Sequence, residues 1–188
     1  MNDTLKTIAK RYSCRNFTDK IPGSDDLTAI ANAGLQAPSG MNRQQWQIIV
    51  VKNKALISEM ETEGMRLLSE QKDKSIYERI MSRGGRLFYN APCLVMIAIK
   101  EAFPKGAELI DLGIVAQNIS LAATSLGIDN LHCGLVAFCF AGNKADYFKN
   151  KMKFPKEYEC GLAVLLGYAK DTAAAPHAPN ADKITVIE

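Results

Sequence analysis

Apolar and polar residues follow one another along this chain in blocks, and the blocks predict strands alternating with helices. A first helix is expected over 3–10, ending in the polar stretch KRYSCRNF at 10–17. A second begins at Ser24, read as the N-cap, with Asp25 and Asp26 suited to the positive end of a helix. Leu27, Ile30, Ala31, Gly34 and Leu35 fall on one face, and Pro38 and Gly40 of APSG break the pattern. WQIIVVK at 46–52 is a strand whose β-branched residues occupy both faces, so both faces are expected to be covered. Asn53 opens a third helix, which buries Leu56, Ile57, Met60, Gly64, Leu67 and Leu68.

Residues 71–90 are polar and helical in pattern up to Gly84 and Gly85, and are expected to face solvent or to move. CLVMIAI at 93–99 is the second buried strand. The longest helix, 106–127, places Leu109, Leu112, Ala116, Ile119, Ala123 and Leu126 at three- and four-residue steps, which suits helix packing within a core or across a dimer. A strand-like run at 129–138, a short helix near 143–151 and a third buried strand, ECGLAVLLGY at 159–168, complete the core. An Ala/Pro-rich linker at 170–182 leads to KITVI, with the composition of a last strand that needs a sheet edge, its own or that of a second subunit. Buried strands between long helices imply a central sheet covered by helices on both faces, in one domain spanning 1–188 with 170–188 as an extended arm.

Composition narrows the function classes. At 188 residues, 47% hydrophobic and 23% charged, the chain is globular in character. A net charge of +3, without a long basic stripe, argues against nucleic acid as the main partner. No apolar run is long enough for a signal peptide or a membrane span. Five scattered cysteines, none in C-x-x-C spacing, read as reduced thiols in a cytoplasm, and with two histidines no metal site is expected.

Candidate chemistry is sparse in side chains. Neither G-x-G-x-x-G nor G-x-x-x-x-G-K-[ST] occurs, and no serine triad or paired carboxylates can be argued. His132 reads as a packed histidine with one hydrogen bond. An enzyme of this composition needs a bound cofactor for the difficult step. Two stretches could hold one. Arg11 and Arg15 frame Ser13, a set that suits a phosphate, although a solvated basic turn has the same composition. Pro38, Ser39, Gly40, Asn42 and Gln44 could frame a flat heterocycle, or form an ordinary helix-to-strand turn.

These stretches, taken together, resemble the FMN-dependent nitroreductases. Arg11-Tyr12-Ser13-Cys14-Arg15-Asn16-Phe17 is similar to the family's R-[RHY]-S-x-[RK]-x-F, and Ala37 to Trp46 to its A-P-S-x-x-N-x-Q-x-W. DLGIVAQNISLAATSLGIDNLHCG resembles its long central helix and following strand, and CGLAVLLGYAK its late strand. The resemblance implies an α+β fold with a central mixed sheet covered by helices on both faces, and an intertwined homodimer with FMN at the subunit interface. It implies that Arg11 and Ser13, with Tyr12 between them, hold the phosphate and ribityl chain, and that Arg15 approaches the pyrimidine edge. Pro38, Ser39, Gly40 and Asn42, with Gln44, would come from the other subunit. The backbone at Cys133 and Gly134 would face the flavin's central nitrogen. Where relatives carry a basic pair in the tail, this chain has PHAPNADK, leaving His177, Lys170 or Lys183 to complete the phosphate clamp, unless His177 is only a surface histidine.

The implied activity is NAD(P)H oxidation with ping-pong hydride transfer to nitroaromatic, quinone or similar flat acceptors. Alternatives are a relative that dehalogenates or degrades the flavin, or a non-catalytic protein that stores FMN or senses redox state.

Overall fold

The computed structural model describes residues 1–102, 105–171, 175–176 and 178–187. Its centre is a four-stranded sheet built from β1 (Trp46–Val51), β2 (Cys93–Ile99), β3 (Asp129–Cys133) and β4 (Glu159–Gly167), in the order β1-β2-β4-β3. Every strand pairing is antiparallel: Trp46 lies opposite Ile99, Cys93 opposite Leu166 and Asp129 opposite Gly167. Among the described residues, the parallel component of the expected mixed sheet is reduced to one isolated bridge, Ser13 with Asn130.

The two-fold periodicity of a strand divides the apolar residues between two cores. Leu94 and Met96 of β2 and Ala163 and Leu165 of β4 face one side, packed with Ile57, Met60 and Leu68 of α3 (Lys54–Ser69) and Phe148 of α6 (Ala145–Lys151). Cys93, Val95, Ile97, Val164 and Leu166 face the other, against Leu27 and Ile30 of α2 (Ser24–Leu35) and Val115, Ala116, Ile119 and Ala123 of α5 (Ala107–Ser125). The remaining α-helices among the described residues are α1 (Asp3–Lys10) and α4 (Ser75–Met81). A sheet covered on both faces explains why its central strands are almost continuously apolar.

A register shift between Ile97 and Ala98 sets Gly161 as the extra residue of a bulge in β4. A Cβ at Gly161 would stand 2.8 Å from the Ile97 carbonyl oxygen, so the close approach of the two backbones requires glycine.

Several expectations change. Ser24 is the first residue of α2, and Gly23 holds the N-cap position without a side-chain bond. Asn53 does cap α3, its Oδ1 accepting from Leu56 N–H at 3.0 Å. Residues 71–90 are largely exposed, as expected, but the segment is anchored in the core at a few positions. Helix α4 is only seven residues long, and Ile80, Leu87, Phe88 and Tyr89 are buried in the α3-side core. The strand-like run at 129–138 ends at Cys133 and continues as a 3₁₀ segment, Gly134–Phe140. On α5 the buried stripe is Val115, Ala116, Ile119, Ser120 and Ala123, while Leu109 is 60% exposed and Leu126 is also exposed. Residues 184–187 pair with no strand among the described residues, and Ile184, Val186 and Ile187 are exposed.

Candidate active site

The KRYSCRNF segment is tied to the sheet backbone. Arg11 N–H caps α1 by donating to Thr7 O at 3.1 Å, and the chain then runs extended beside β3. Cys14 N–H donates to Asn130 O at 3.0 Å, Phe17 N–H to Tyr89 O at 3.1 Å and Thr18 N–H to Tyr168 O at 2.8 Å. Cys14 and Phe17 point into the core, which leaves Arg15 exposed and Arg11 half-buried.

Arg15 opens onto a cavity of about 250 Å³. Leu131 to Leu135, the end of β3 and the turn into the 3₁₀ segment, form much of its lining, with Arg79, Arg83 and Tyr89. Two separately predicted pieces, Arg15 and the Cys133–Gly134 turn, therefore meet in one site. Cys133 turns its thiol toward Leu87 O, and burial pushes that thiol up to about 11. A Cβ at Gly134 would meet only Leu162 Cδ1, at 3.9 Å, so the space above this peptide is open. The lining contains three guanidinium groups and no carboxylate. That donor set fits an electron-rich or anionic guest.

Arg11 lines a second cavity of about 460 Å³ with Leu5, Ile8, Gln117, Pro176 and Pro179. Its charge also reaches His132, which lines the Arg15 cavity. Burial, followed by the Arg11 charge, holds the His132 imidazole below its ordinary pKa against the opposing pull of Ala116 O. His132 is packed as expected but makes two contacts: Nε2 lies 2.6 Å from Ser120 Oγ and 3.1 Å from Ala116 O. Ser13 supplies its backbone, with its O accepting from Arg15 Nη1 at 3.3 Å.

Tyr12 is placed differently. Its hydroxyl donates to Asp129 Oδ1 at 2.8 Å, and Asp129 Oδ2 accepts from Ala169 N–H at 2.8 Å. Burial and then the Asp129 carboxylate raise the phenol's pKa well above the ordinary value. Tyr12 therefore serves a link between β3 and the chain after β4.

The 37–45 loop forms a separate, internally bonded unit. Ser39 Oγ accepts from Gln44 N–H at 2.9 Å, and Gln44 Nε2 donates to Asn42 Oδ1 at 2.8 Å. Met41, Asn42 and Gln44 have φ of 53°, 53° and 50°, a left-handed geometry that asparagine tolerates better than the other two. Pro38, Gly40, Asn42 and Gln44 are exposed, and none of these loop residues lines the cavity of Arg11 or that of Arg15. His177 lies outside the described residues. Lys170 and Lys183 are exposed, and Lys170 N–H is bonded to Asn16 O at 3.0 Å. Arg79 and Arg83 were not singled out from the sequence, although their four-residue spacing on a polar helix was a readable signal of a shared face.

The model of the nitroreductase family matches residues 8–168, and the chain belongs to that family. A nitroreductase with bound FMN from Desulfitobacterium hafniense DCB-2 is 53% identical, each chain fully covered, with a TM-score of 0.96. A nitroreductase with bound FMN from Bacteroides fragilis NCTC 9343 is 28% identical over the whole of both chains, with a TM-score of 0.89. An Archaeoglobus fulgidus protein, provisionally described as an NADH dehydrogenase/NAD(P)H nitroreductase, is 25% identical over 174 residues, 91% of this chain and 88% of its own.

Proposed function

We propose that this protein is an FMN-dependent NAD(P)H oxidoreductase that reduces nitroaromatics, quinones or similar flat acceptors. The observation that carries the reading is the carboxylate-free cavity in which Arg15 faces the open backbone turn at Cys133 and Gly134. Similarity to two FMN-bound nitroreductases over their whole length supports it. Bound FMN would supply two-electron redox chemistry between NAD(P)H and an acceptor that uses the same slot, in ping-pong order.

The chain's own residues bind and bias the cofactor. Arg11 and Ser13 hold the phosphate and ribityl chain, with His177, Lys170 or Lys183 of the 170–188 arm completing the clamp. Arg15 would stand at the pyrimidine edge, where a fixed cation would lower the cost of the negative charge left by reduction. The N–H groups of the Cys133–Gly134 turn would face the flavin's reacting nitrogen. Pro38, Ser39, Gly40, Asn42 and Gln44 act from a second copy, so the working unit is a homodimer. The shape of this loop, fixed by its own hydrogen bonds while its surface stays exposed, supports that role. So do the apolar groups that one chain leaves uncovered: Leu109 and Ile110 on α5, and Ile184, Val186 and Ile187, a segment suited to joining the partner's sheet. The cytoplasmic setting belongs to the same proposal.

A visible absorption spectrum before and after anaerobic NADH or NADPH tests the reading. The expected protein is yellow and bleaches, and Arg15→Ala keeps the fold while weakening FMN binding or slowing its reduction about tenfold or more. A protein that stays colourless with added FMN overturns the flavin reading. An Arg15→Ala variant with wild-type FMN binding and reduction removes the role given to Arg15.

A further inference from the structure

We propose that Arg79 and Arg83 form an anion-recognition edge of the Arg15 cavity and select acceptors that carry a carboxylate. The inference rests on the flavin reading above and names its substrate class. Arg79 lies in the last turn of α4 and Arg83 in the turn that follows, and both line the cavity. Ile80, buried between them in sequence, anchors that end of α4 in the core. Hydrogen bonds from Gly84 N–H to Met81 O and from Gly85 N–H to Ile80 O close the turn. The backbone that carries the two arginines is therefore fixed although their side chains reach solvent.

Their lack of partners distinguishes them from neighbouring arginines. Arg66 is paired with Glu63 and Glu70, and Arg86 with Glu61. Among the described residues, neither Arg79 nor Arg83 has an ion-pair partner, and no Asp or Glu lines their cavity. Within the flavin reading, Arg11 serves the phosphate and Arg15 the reduced edge, so two guanidinium forks remain at the rim without a carboxylate. A guanidinium presents paired donors that match the two oxygens of a carboxylate. A flat ring bearing one carboxylate satisfies both the slot and the rim.

The test compares kcat/KM for 4-nitrobenzoate and 4-nitrobenzamide with NADH, which differ in charge but little in shape. The wild-type protein is expected to favour the benzoate about tenfold at low salt, with the preference shrinking as ionic strength rises. The ratio should approach one in R79Q/R83Q and return in part in R79K/R83K. An equal ratio in wild type and R79Q/R83Q overturns the proposal. Loss of FMN from R79Q/R83Q also overturns it, by making the arginines part of the flavin cradle. A preference for NADPH over NADH that disappears in R79Q/R83Q, with no acceptor preference, overturns it in favour of the donor's phosphate. Calorimetric titration of benzoate and benzamide into the purified protein reads the same pair without turnover. Failure to bind FMN sinks the flavin reading and the acceptor selection with it, whereas equal affinity for the two ligands in a protein that binds FMN sinks the arginine edge alone.

Discussion

Strand β2 and helix α5 are both strongly apolar, yet the fold treats them differently. All of β2 from Cys93 to Ala98 is fully buried, with Leu94 and Met96 in one core and Cys93, Val95 and Ile97 in the other. Helix α5 is covered along Val115, Ala116, Ile119 and Ala123, while Leu109 and Ile110 near its N-terminal end are 60% and 69% exposed. The same kind of apolar pattern thus records two different burdens. In β2 it records coverage by this chain, and in α5 it exceeds what this chain can cover. That surplus is what a second copy would bury.

The strongest way to break the comparison is to remove bulk where coverage is complete. Leu94 lies between Val51 on β1 and Leu165 on β4 and has no exposed surface. Leu94→Ala loses burial and leaves a cavity, and it should cost about 2–5 kcal/mol of unfolding free energy in urea titration. A loss below about 1 kcal/mol would mean that the β2 core is loosely packed, and the contrast with α5 would weaken.

The surplus on α5 is tested next. Ile110→Gln changes a side chain that the isolated chain leaves exposed, so secondary structure by circular dichroism should be retained. In the proposed homodimer the glutamine amide must be buried without a matched partner, at about 1–3 kcal/mol per site. Both subunits carry the change, so sedimentation should show the dimer dissociation constant rising roughly 30-fold or more. Unchanged dimer strength would place the interface elsewhere and leave the exposed end of α5 without a role.

Legibility in the sequence follows the same division. WQIIVV, CLVMIAI and CGLAVLLG could be read as strands because two covering layers make short, continuous apolar runs, and Asn53 could be read as a cap because its side-chain oxygen takes the free Leu56 N–H. Leu87, Phe88 and Tyr89 could not be placed, since three successive apolar residues in a turn show neither helical nor strand periodicity and are buried only because the chain folds beneath α3. At the site, the meeting of Arg15 with the Cys133–Gly134 turn was legible through the family resemblance. Arg79 and Arg83 were not, because charges four residues apart on a polar helix also describe a solvated face. In the proposed homodimer the 38–44 loop would act on a second chain, and that placement rests on the family resemblance rather than on any pattern within one chain.

The smallest effect concerns how α5 keeps its register. Strand β2 contacts a neighbouring strand through the Cys93 thiol, which donates to Leu166 O, whereas the buried side of α5 is pinned to β3 by several polar contacts. Asn130 Nδ2 donates to Ser120 O at 3.2 Å and to Thr124 Oγ1 at 3.0 Å, and His132 Nε2 meets Ser120 Oγ and Ala116 O. Burial and the Arg11 charge lower the His132 pKa from its ordinary 6.5, so the folded protein keeps this ring neutral at pH values where the unfolded chain has protonated it. Unfolding then takes up a proton, and stability rises with pH across that window. The His132 contribution is fully present above about pH 6.5 and is lost as pH falls through the interval between 6.5 and the lower folded value. Carboxylates titrate over part of the same range, so the informative quantity is the difference between wild type and His132→Gln. Urea unfolding from pH 7.5 downward should show wild type losing stability more steeply than the variant, by less than one proton's slope. Parallel curves would mean that His132 gains its proton in the folded state as readily as in the unfolded chain, and the α5 anchor would then rest on Ser120, Thr124 and Asn130 alone.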